Sequence, residues 1–202
     1  MNEGLLIVVS GPAGSGKGTV LAKVFEKSNG FAYSVSSTTR APRPGEENGV
    51  HYNFVTGDEF EKMLSDDLML EHTVYCGNYY GTSKAAVNKE LKAGKNVILE
   101  IEVDGAMQIK KKYPEAVLIL VIPPDFKTLE ARLRGRGTDS DADIKKRLER
   151  AESEMKLFDC YDYFIVNEDD KLDEAADALI GIVNGEKHAT KRDPDFYNKF
   201  FN

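Results

Sequence analysis

One stretch near the start of the chain constrains the fold more than any other. An apolar run at residues 5–9 leads into a loop with glycine at positions 11, 14 and 16, and a lysine follows directly. Glycine lets the backbone turn so that successive N–H groups point inward, and the start of a helix favours negative charge at the same place. The pattern G-x-x-x-x-G-K between a strand and a helix is a phosphate-binding loop. We therefore predict a phosphate site formed by Gly11, Pro12, Ala13, Gly14, Ser15, Gly16, Lys17, Gly18 and Thr19.

The residue after the lysine departs from the usual pattern. This position commonly carries Ser or Thr, whose hydroxyl group reaches Mg²⁺, whereas here it is Gly18, and a hydroxyl group comes one residue later on Thr19. Two arrangements are open: Thr19 substitutes for the missing hydroxyl, or Mg²⁺ is held through water and nucleotide phosphates. The loop could also be a glycine-rich turn that binds no phosphate. The presence of Lys17 argues against this, because a chance turn seldom carries the lysine as well.

Strand and helix patterns alternate along much of the chain. Residues 20–25 place apolar side chains on one helical face, and residues 31–37 alternate as a second strand. Apolar runs at residues 97–101, 116–122 and 163–166 predict further strands, separated by helical patterns. This order predicts an α/β fold, with a parallel sheet flanked by helices like the core of nucleoside triphosphatases that carry a phosphate-binding loop.

The segment at residues 35–83 differs in character from this core. Prolines and a glycine interrupt a basic loop at residues 39–45, which excludes both a helix and a central strand there. Farther along, Gly77-Asn78 is typical of a turn between two antiparallel strands. We predict a small inserted α+β subdomain at residues 35–83 and a core made of residues 1–34 and 84–202.

The charge balance limits which partners are expected. The chain of 202 residues has a formal net charge of −7 at pH 7, which argues against a general nucleic-acid surface and a polybasic membrane anchor. Its longest plainly apolar run, residues 116–122, is too short to span a bilayer, and the first residues do not resemble a secretion signal. We expect a cytoplasmic protein with no nucleic-acid or membrane partner. The three histidines lack the spacing typical of metal ligands.

A second phosphate site is indicated in the inserted segment. Arg40 and Arg43 offer bidentate donors, and Tyr52 and Tyr80 add two hydroxyl groups. A monophosphate bound there has a second pKa of about 6, so at neutral pH much of it is ionised and needs no general base. The absence of an evident catalytic Asp or His in the sequence agrees with this. The alternatives are a solvated basic loop and half-buried strand aromatics.

A third basic cluster brackets a glycine-containing segment near residue 137. Its members are Arg132, Arg134, Arg136 and Arg147. We predict a mobile lid at about residues 134–150, whose guanidinium groups join Lys17 and Mg²⁺ in neutralising a transferring phosphoryl group. Arg134 is expected to be surface charge only, because four arginines in one motif rarely all touch a ligand.

Together these motifs resemble the guanylate kinase family, and its bacterial members in particular, over nearly the whole chain. The motifs are Ser10-Gly11-Pro12, SVSSTTRAPRPGE at residues 34–46, Gly49-Val50-His51-Tyr52, GNYYGT at residues 77–82, Leu99-Glu100-Ile101-Glu102, Arg136-Gly137-Thr138 and Val166-Asn167. The resemblance implies an enzyme that transfers a phosphoryl group from ATP to GMP in purine nucleotide metabolism, with dGMP as a second acceptor. It implies that Lys17, Arg40, Arg43, Arg132, Arg136 and Arg147 are the catalytic residues.

The resemblance also assigns residues to each substrate. ATP is assigned to the phosphate-binding loop, Arg132, Arg136 and Asn167, with Asn167 at the adenine. The phosphate of GMP is assigned to Arg40, Arg43, Tyr52 and Tyr80, its guanine to Ser36, Glu71 and Thr82, and its base or ribose side to Glu102. Glu100 is assigned a place near Mg²⁺ through water. A carboxylate can accept from both the N1–H and the 2-amino group of guanine, a pair that adenine does not offer.

Other interpretations remain open at this point. Glu71 and Glu100 could be exposed charges at strand ends. A related module without enzymatic activity could use the same pocket for a phosphopeptide, and a kinase of the same fold could use a different acceptor. A monomer and a homodimer are both compatible with the sequence.

Overall fold

The computed structural model describes residues 3–75, 77–135, 137 and 139–201. Strands and helices alternate along much of the chain, which confirms the predicted α/β class. The strands are β1 (Leu6–Ser10), β2 (Phe31–Tyr33), β3 (Ser37–Thr38), β4 (Asn53–Phe54), β5 (Met69–Tyr75), β6 (Asn78–Ser83), β7 (Asn96–Glu100), β8 (Val117–Ile122) and β9 (Tyr163–Val166). The helices are α1 (Lys17–Lys27), α2 (Gly57–Ser65), α3 (Lys84–Lys92), α4 (Val103–Lys112), α5 (Phe126–Gly135), α6 (Asp141–Met155), α7 (Leu172–Glu186) and α8 (Phe196–Phe200).

The larger sheet is parallel and has the strand order β2-β7-β1-β8-β9. Its central strand β1 alternates side chains between two cores, because successive residues of a strand point to opposite faces. Ile7 and Val9 pack with α1 and α7 on one face, whereas Leu6 and Val8 pack with α3 and α4 on the other. Helices therefore cover both faces, and no helix in the described ranges is long and apolar enough to cross a membrane.

The strand order also determines where ligands can bind. The chain leaves β1 toward β2 on one side and later reaches β8 on the other side of β1. The carboxyl end of β1 is therefore a topological switch point, the place where open α/β sheets form their binding crevice. The phosphate-binding loop begins there.

A smaller sheet with the order β4-β3-β6-β5 is separate from the parallel sheet. Strands β5 and β6 pair antiparallel, as the Gly77-Asn78 turn predicts. The prediction of one strand over residues 31–37 is wrong in its extent. Residues 31–33 pair with β7 in the larger sheet, whereas residues 37–38 pair with β6 in the smaller one. The chain crosses from the larger sheet to the smaller one between these two ranges. The strand is interrupted there because its two ends pair with strands that are distant in sequence.

A buried carboxylate ties the C-terminal segment to the core. Glu186, at the end of α7, is 2% exposed and accepts hydrogen bonds from Tyr163 (2.6 Å), Lys191 (3.0 Å) and Arg192 (2.6 Å). Arg192 also donates to the carbonyl oxygen of Glu115 at 2.7 Å. Burial raises the pKa of Glu186, but these hydrogen bonds outweigh it and bring the pKa down to about 2.

We expect Glu186→Gln to lower the melting temperature. Loss of charge-assisted hydrogen bonds at a buried site costs about 2–3 kcal/mol, which corresponds to about 4–12 °C for a chain of this length. Because the folded-state pKa is depressed, this stabilisation is complete above the ordinary glutamate pKa and is lost as the pH falls toward 2. Thermal unfolding of both proteins from pH 7 to pH 3 measures it, and Glu174→Gln, on the exposed side of α7, is the control. A difference that stays constant with pH would contradict the assignment.

Candidate active site

The phosphate-binding loop is held by contacts that require glycine at position 16. Gly16 adopts a left-handed conformation with φ of 85° just before α1, a region that disfavours residues with a Cβ. A Cβ atom at this position would lie 2.3 Å from Nδ2 of Asn167. The same Nδ2 donates to the carbonyl oxygen of Ser15 at 2.9 Å. Asn167, at the end of β9, therefore supports the shape of the loop from behind.

Lys17 supplies the full positive charge of this loop. Its ammonium group donates to the carbonyl oxygen of Gly11 at 2.5 Å and lies 3.4 Å from that of Pro12. These contacts fold the side chain of Lys17 back over the phosphate-binding loop. The loop thus combines backbone N–H donors, a helix N-terminus and one cation, the set of groups that binds polyphosphate.

One cavity of about 560 Å³ brings most of the predicted site residues together. It is lined by residues of the loop, of the smaller sheet, of the carboxyl end of β7 and of α6. The predicted residues among them are Ala13, Gly14, Gly16, Lys17, Gly18, Thr19, Ser36, Arg40, Arg43, Tyr52, Glu71, Tyr80, Glu100, Glu102 and Arg147. The loop and the arginine–tyrosine cluster therefore face the same space.

Other predicted residues lie beside or behind this cavity. Gly11, Pro12 and Ser15 are buried in the loop, and Arg136 lies outside the described residues. Arg132 donates to the carbonyl oxygen of Asn167 at 2.8 Å and pairs with Asp169 at 2.6 Å. It lines a second cavity of about 500 Å³ next to the loop, together with Lys127, Thr128, Ala131 and Asp169.

Arg40 is held on several sides within the main cavity. Its guanidinium group lies 5.5 Å from the ring centroid of Tyr52, a cation–π geometry, and hydrogen-bonds to the hydroxyl of Tyr80. The two tyrosine rings meet edge to face at 5.9 Å. Nη2 and Nη1 of Arg40 donate hydrogen bonds to the carboxylate of Glu46 at 2.8 and 3.0 Å. Both partners are largely buried, so the solvated-loop interpretation does not apply to this arginine.

Glu71 is a buried carboxylate in the wall of the cavity. It is 2% exposed, and Thr82 donates to its Oε1 at 2.7 Å. A Cβ atom at Gly105 of α4 would lie 2.7 Å from its Oε2, so the helix approaches the carboxylate closely. Burial raises the pKa of Glu71, and the hydrogen bond from Thr82 lowers it in part. Thr82 is itself buried and holds Glu71 in place; Glu71 is not an exposed strand-end charge.

The carboxyl end of β7 brings an oxygen ligand to the start of α1. Oε1 of Glu100 lies 3.8 Å from the position that a Cβ of Gly18 would occupy, and Tyr33 donates to Oε2 of Glu100 at 3.3 Å. The missing hydroxyl at position 18 thus leaves space beside a carboxylate. Among the described residues, no three His, Cys, Asp or Glu side chains are arranged to hold a metal by themselves.

Helix α6 presents charged residues to the cavity at helical spacing. Arg147 pairs with Asp139 at 3.1 Å, and Arg150 lies between Glu154 at 2.8 Å and Glu102 at 3.4 Å. Burial raises the pKa of Glu154. Arg134 pairs with Glu130 and Asp141 on the surface and is 51% exposed, as predicted.

Comparisons with known proteins agree with this geometry. The sequence model described as guanylate kinase matches residues 3–186. This chain belongs to the guanylate kinase family. It is 52% identical to a guanylate kinase of Lactococcus lactis, over 94% of this chain and 92% of that protein. It is 47% identical to one from Desulfitobacterium hafniense, over 96% of each. The crystal structure of a guanylate kinase from Anaplasma phagocytophilum superimposes with a TM-score of 0.76 at 30% identity, over 95% of this chain and 90% of that one.

Some residues in the cavity of this guanylate kinase family member escaped the sequence analysis. They are Tyr33, Glu46, Thr73, Gly81, Ile101, Arg150 and Glu154. Glu46 ends the most distinctive motif and was given no role there. Arg150 and Glu154 follow Arg147 by three and seven residues, so helical periodicity alone could have placed them on the same face.

Proposed function

We propose that this protein catalyses ATP-dependent phosphoryl transfer to GMP, giving GDP and ADP, and that it also accepts dGMP. One observation carries the proposal: the phosphate-binding loop and the arginine–tyrosine cluster line a single cavity in a chain of the guanylate kinase family. Purine nucleotide metabolism in the cytoplasm, by a monomer or a homodimer, belongs to the same proposal.

On the donor side, the loop N–H groups and Lys17 hold the β- and γ-phosphates of ATP. Arg132 and Asn167 lie at the edge of the loop next to the second cavity, which can take the adenosine end. Arg147 and Arg136 act from the lid. Support for these roles comes from the shared position of Arg132 and Asn167 against the backbone of Ser15.

On the acceptor side, Arg40, Arg43, Tyr52 and Tyr80 hold the phosphate of GMP. Ser36 and Glu71 bind the guanine, and Thr82 acts through Glu71 because its hydroxyl donates to that carboxylate. A buried, ionised carboxylate accepts from the N1–H and the 2-amino group of guanine. Glu102, held by Arg150 at 3.4 Å, lies on the base or ribose side.

The reaction needs no proton-removing side chain. An oxygen of the ionised GMP phosphate attacks the γ-phosphorus of ATP, the bond from that phosphorus to its bridging oxygen breaks, and ADP leaves with that oxygen. Glu46, Glu71, Glu102 and Glu154 of the cavity are already engaged by Arg40, Thr82 or Arg150. Lys17 and the arginines position the two anions and neutralise their charge, which is the main contribution in phosphoryl transfer.

Mg²⁺ fits the residues at the start of α1. It prefers oxygen ligands and keeps several waters when it binds through one or two carboxylates and substrate phosphates. Glu100, beside the open space at Gly18, would hold it through water, and Thr19 is the nearby hydroxyl. When bound, the ion supplies charge neutralisation at the phosphates.

The division of the chain into moving parts is also a proposal. Residues 35–83 would form the GMP-binding subdomain, residues 1–34 and 84–202 the core, and residues from about 134 to 150 the lid. Strands β3 to β6 of the smaller sheet support this division. Closure on both substrates would exclude water from the transfer.

A coupled assay of ATP consumption with GMP, dGMP, AMP, CMP and UMP tests the proposed function. We expect turnover with GMP and dGMP and at least ~100-fold lower kcat/KM with the others, since a site built to hydrogen-bond guanine leaves buried groups unpaired with another base. Comparable turnover with AMP would indicate a kinase for another acceptor. Binding of a phosphopeptide without turnover of any monophosphate would indicate the non-enzymatic module.

A further inference from the structure

Glu46 is the cavity carboxylate whose contacts converge on the predicted phosphate site. Its two oxygens accept from Nη1 and Nη2 of Arg40 at 3.0 and 2.8 Å. The backbone N–H of Arg43 donates to the same carboxylate at 2.7 Å. The N–H of Glu46 in turn donates to the carbonyl oxygen of Arg43 at 3.0 Å. One carboxylate therefore holds the guanidinium group of Arg40 and the backbone at Arg43.

The pair is sheltered from water and permanently ionised. The side chains of Arg40 and Glu46 are 15% and 17% exposed, and both line the cavity. The hydrogen bonds from Arg40 and Arg43 hold the pKa of Glu46 at about 2. At working pH the carboxylate is therefore present as an anion whether or not a substrate is bound.

The geometry of the guanidinium decides how this anion relates to a bound phosphate. A guanidinium group has two forks that can take an anion through two parallel hydrogen bonds, one between the two Nη atoms and one between Nε and Nη. Glu46 takes the fork between the two Nη atoms, and Nη1 also donates to the carbonyl oxygen of Ala41 at 2.7 Å. The remaining N–H groups, on Nε and Nη2, are those that a phosphate can take together with the hydroxyl of Tyr80, which already hydrogen-bonds to this guanidinium group. The two anions can then share one guanidinium without competing for the same N–H groups.

We propose that Glu46 is a positioning residue that holds the side chain of Arg40 and the loop backbone at Arg43 for the phosphate of the acceptor, and thereby sets the affinity for GMP. The inference rests on the proposed function and adds a residue to it. Without this carboxylate, the side chain of Arg40 and the turn at Arg43 must become ordered when the phosphate arrives, a cost that a pre-formed site avoids.

The test compares Glu46→Gln with Glu47→Gln. The glutamine side chain has the same shape as glutamate but presents an N–H group to a guanidinium donor, whereas Glu47 is the exposed neighbour of the same type. We expect Glu46→Gln to raise KM for GMP about 10- to 100-fold, with kcat and KM for ATP within about twofold of wild type, and Glu47→Gln to change none of them. The affinity for guanosine, which has no phosphate, should stay the same when measured by calorimetry.

A double variant separates positioning from general damage. Lysine at position 40 cannot form the fork, so Glu46→Gln should cost less than about threefold in KM for GMP in an Arg40→Lys background. Unchanged KM for GMP in Glu46→Gln would overturn the inference. Tighter GMP binding would also overturn it, because Glu46 would then block the phosphate, and so would an equal loss of guanosine affinity, which indicates a structural role alone. Failure of the wild-type protein to phosphorylate GMP would instead contradict the proposed function.

Discussion

Lys17→Ala is expected to lower kcat by a factor on the order of 10³ while GMP still binds. Lys17 contributes the full positive charge in a loop whose other donors are neutral backbone N–H groups, and its ammonium group lies over the carbonyl oxygens of Gly11 and Pro12. The γ-phosphoryl group gains charge on its oxygens as it transfers, so loss of this cation raises the barrier rather than the cost of acceptor binding. Steady-state kinetics and calorimetric titration with GMP measure the two quantities separately.

The matched control for this variant lies on the same helix. Lys27 at the end of α1 pairs with Asp173 and Asp177 of α7 at 2.9 and 2.7 Å, and an ion pair on the surface contributes little to stability because solvent screens it. Lys27→Ala should therefore keep wild-type kcat. Activity above about a tenth of wild type in Lys17→Ala would remove the lysine from its assigned role. Loss of GMP binding would show that the loop had collapsed, and Lys17→Met, which retains the aliphatic chain, would then repeat the test.

Glu71→Gln is expected to raise KM for GMP about 10- to 100-fold, with KM for ATP unchanged. The carboxylate is buried, and Thr82 can still donate to the remaining carbonyl oxygen of the amide. The new N–H₂ group, however, faces donors of the guanine and leaves them unpaired in a dry site. Inosine monophosphate lacks the 2-amino group, so the preference for GMP over it should fall toward one in the variant.

The pH dependence gives a second test of Glu71. Because burial raises its pKa, the carboxylate takes up a proton at a higher pH than an ordinary glutamate and loses acceptor capacity as the pH falls through that value. Wild-type affinity for GMP should therefore approach that of Glu71→Gln in acid. The phosphate of GMP titrates identically for both proteins and cancels in the ratio. An unchanged KM for GMP in the variant, or a ratio independent of pH, would exclude Glu71 from the base site.

Local patterns predicted the elements that local chemistry controls. The β1–loop–α1 unit and the strand at residues 163–166 occur where periodicity and glycine placement predict them. The antiparallel pair around Gly77-Asn78 also follows from its turn residues. In each case the residues that decide the conformation lie within a few positions of one another, so one sequence contains the whole signal.

Features that depend on distant partners were missed. Residues 31–37 alternate like one strand. In the structure, the start of this segment pairs with β7 and its last residue pairs with β6. The C-terminal segment had no predicted role, because its anchor is a single buried carboxylate, Glu186, that meets Tyr163 from another strand. Glu46 belonged to a predicted motif, yet its bond to Arg40 depends on how that loop folds back. The charge and spacing of residues in the sequence do not determine contacts of this kind, which form only when the chain folds back on itself.

The internal pairing of the arginines has a consequence for how anions reach the cleft. Each of four guanidinium groups near the two cavities already faces a carboxylate of the same chain. The pairs are Arg40 with Glu46, Arg132 with Asp169, Arg147 with Asp139 and Arg150 with Glu154. Paired charges of opposite sign project little long-range field, so these four arginines add little to the attraction of polyanions from a distance. The protein then distinguishes one anion from another at contact distance, where a phosphate of the right shape reaches the N–H groups that these carboxylates do not occupy.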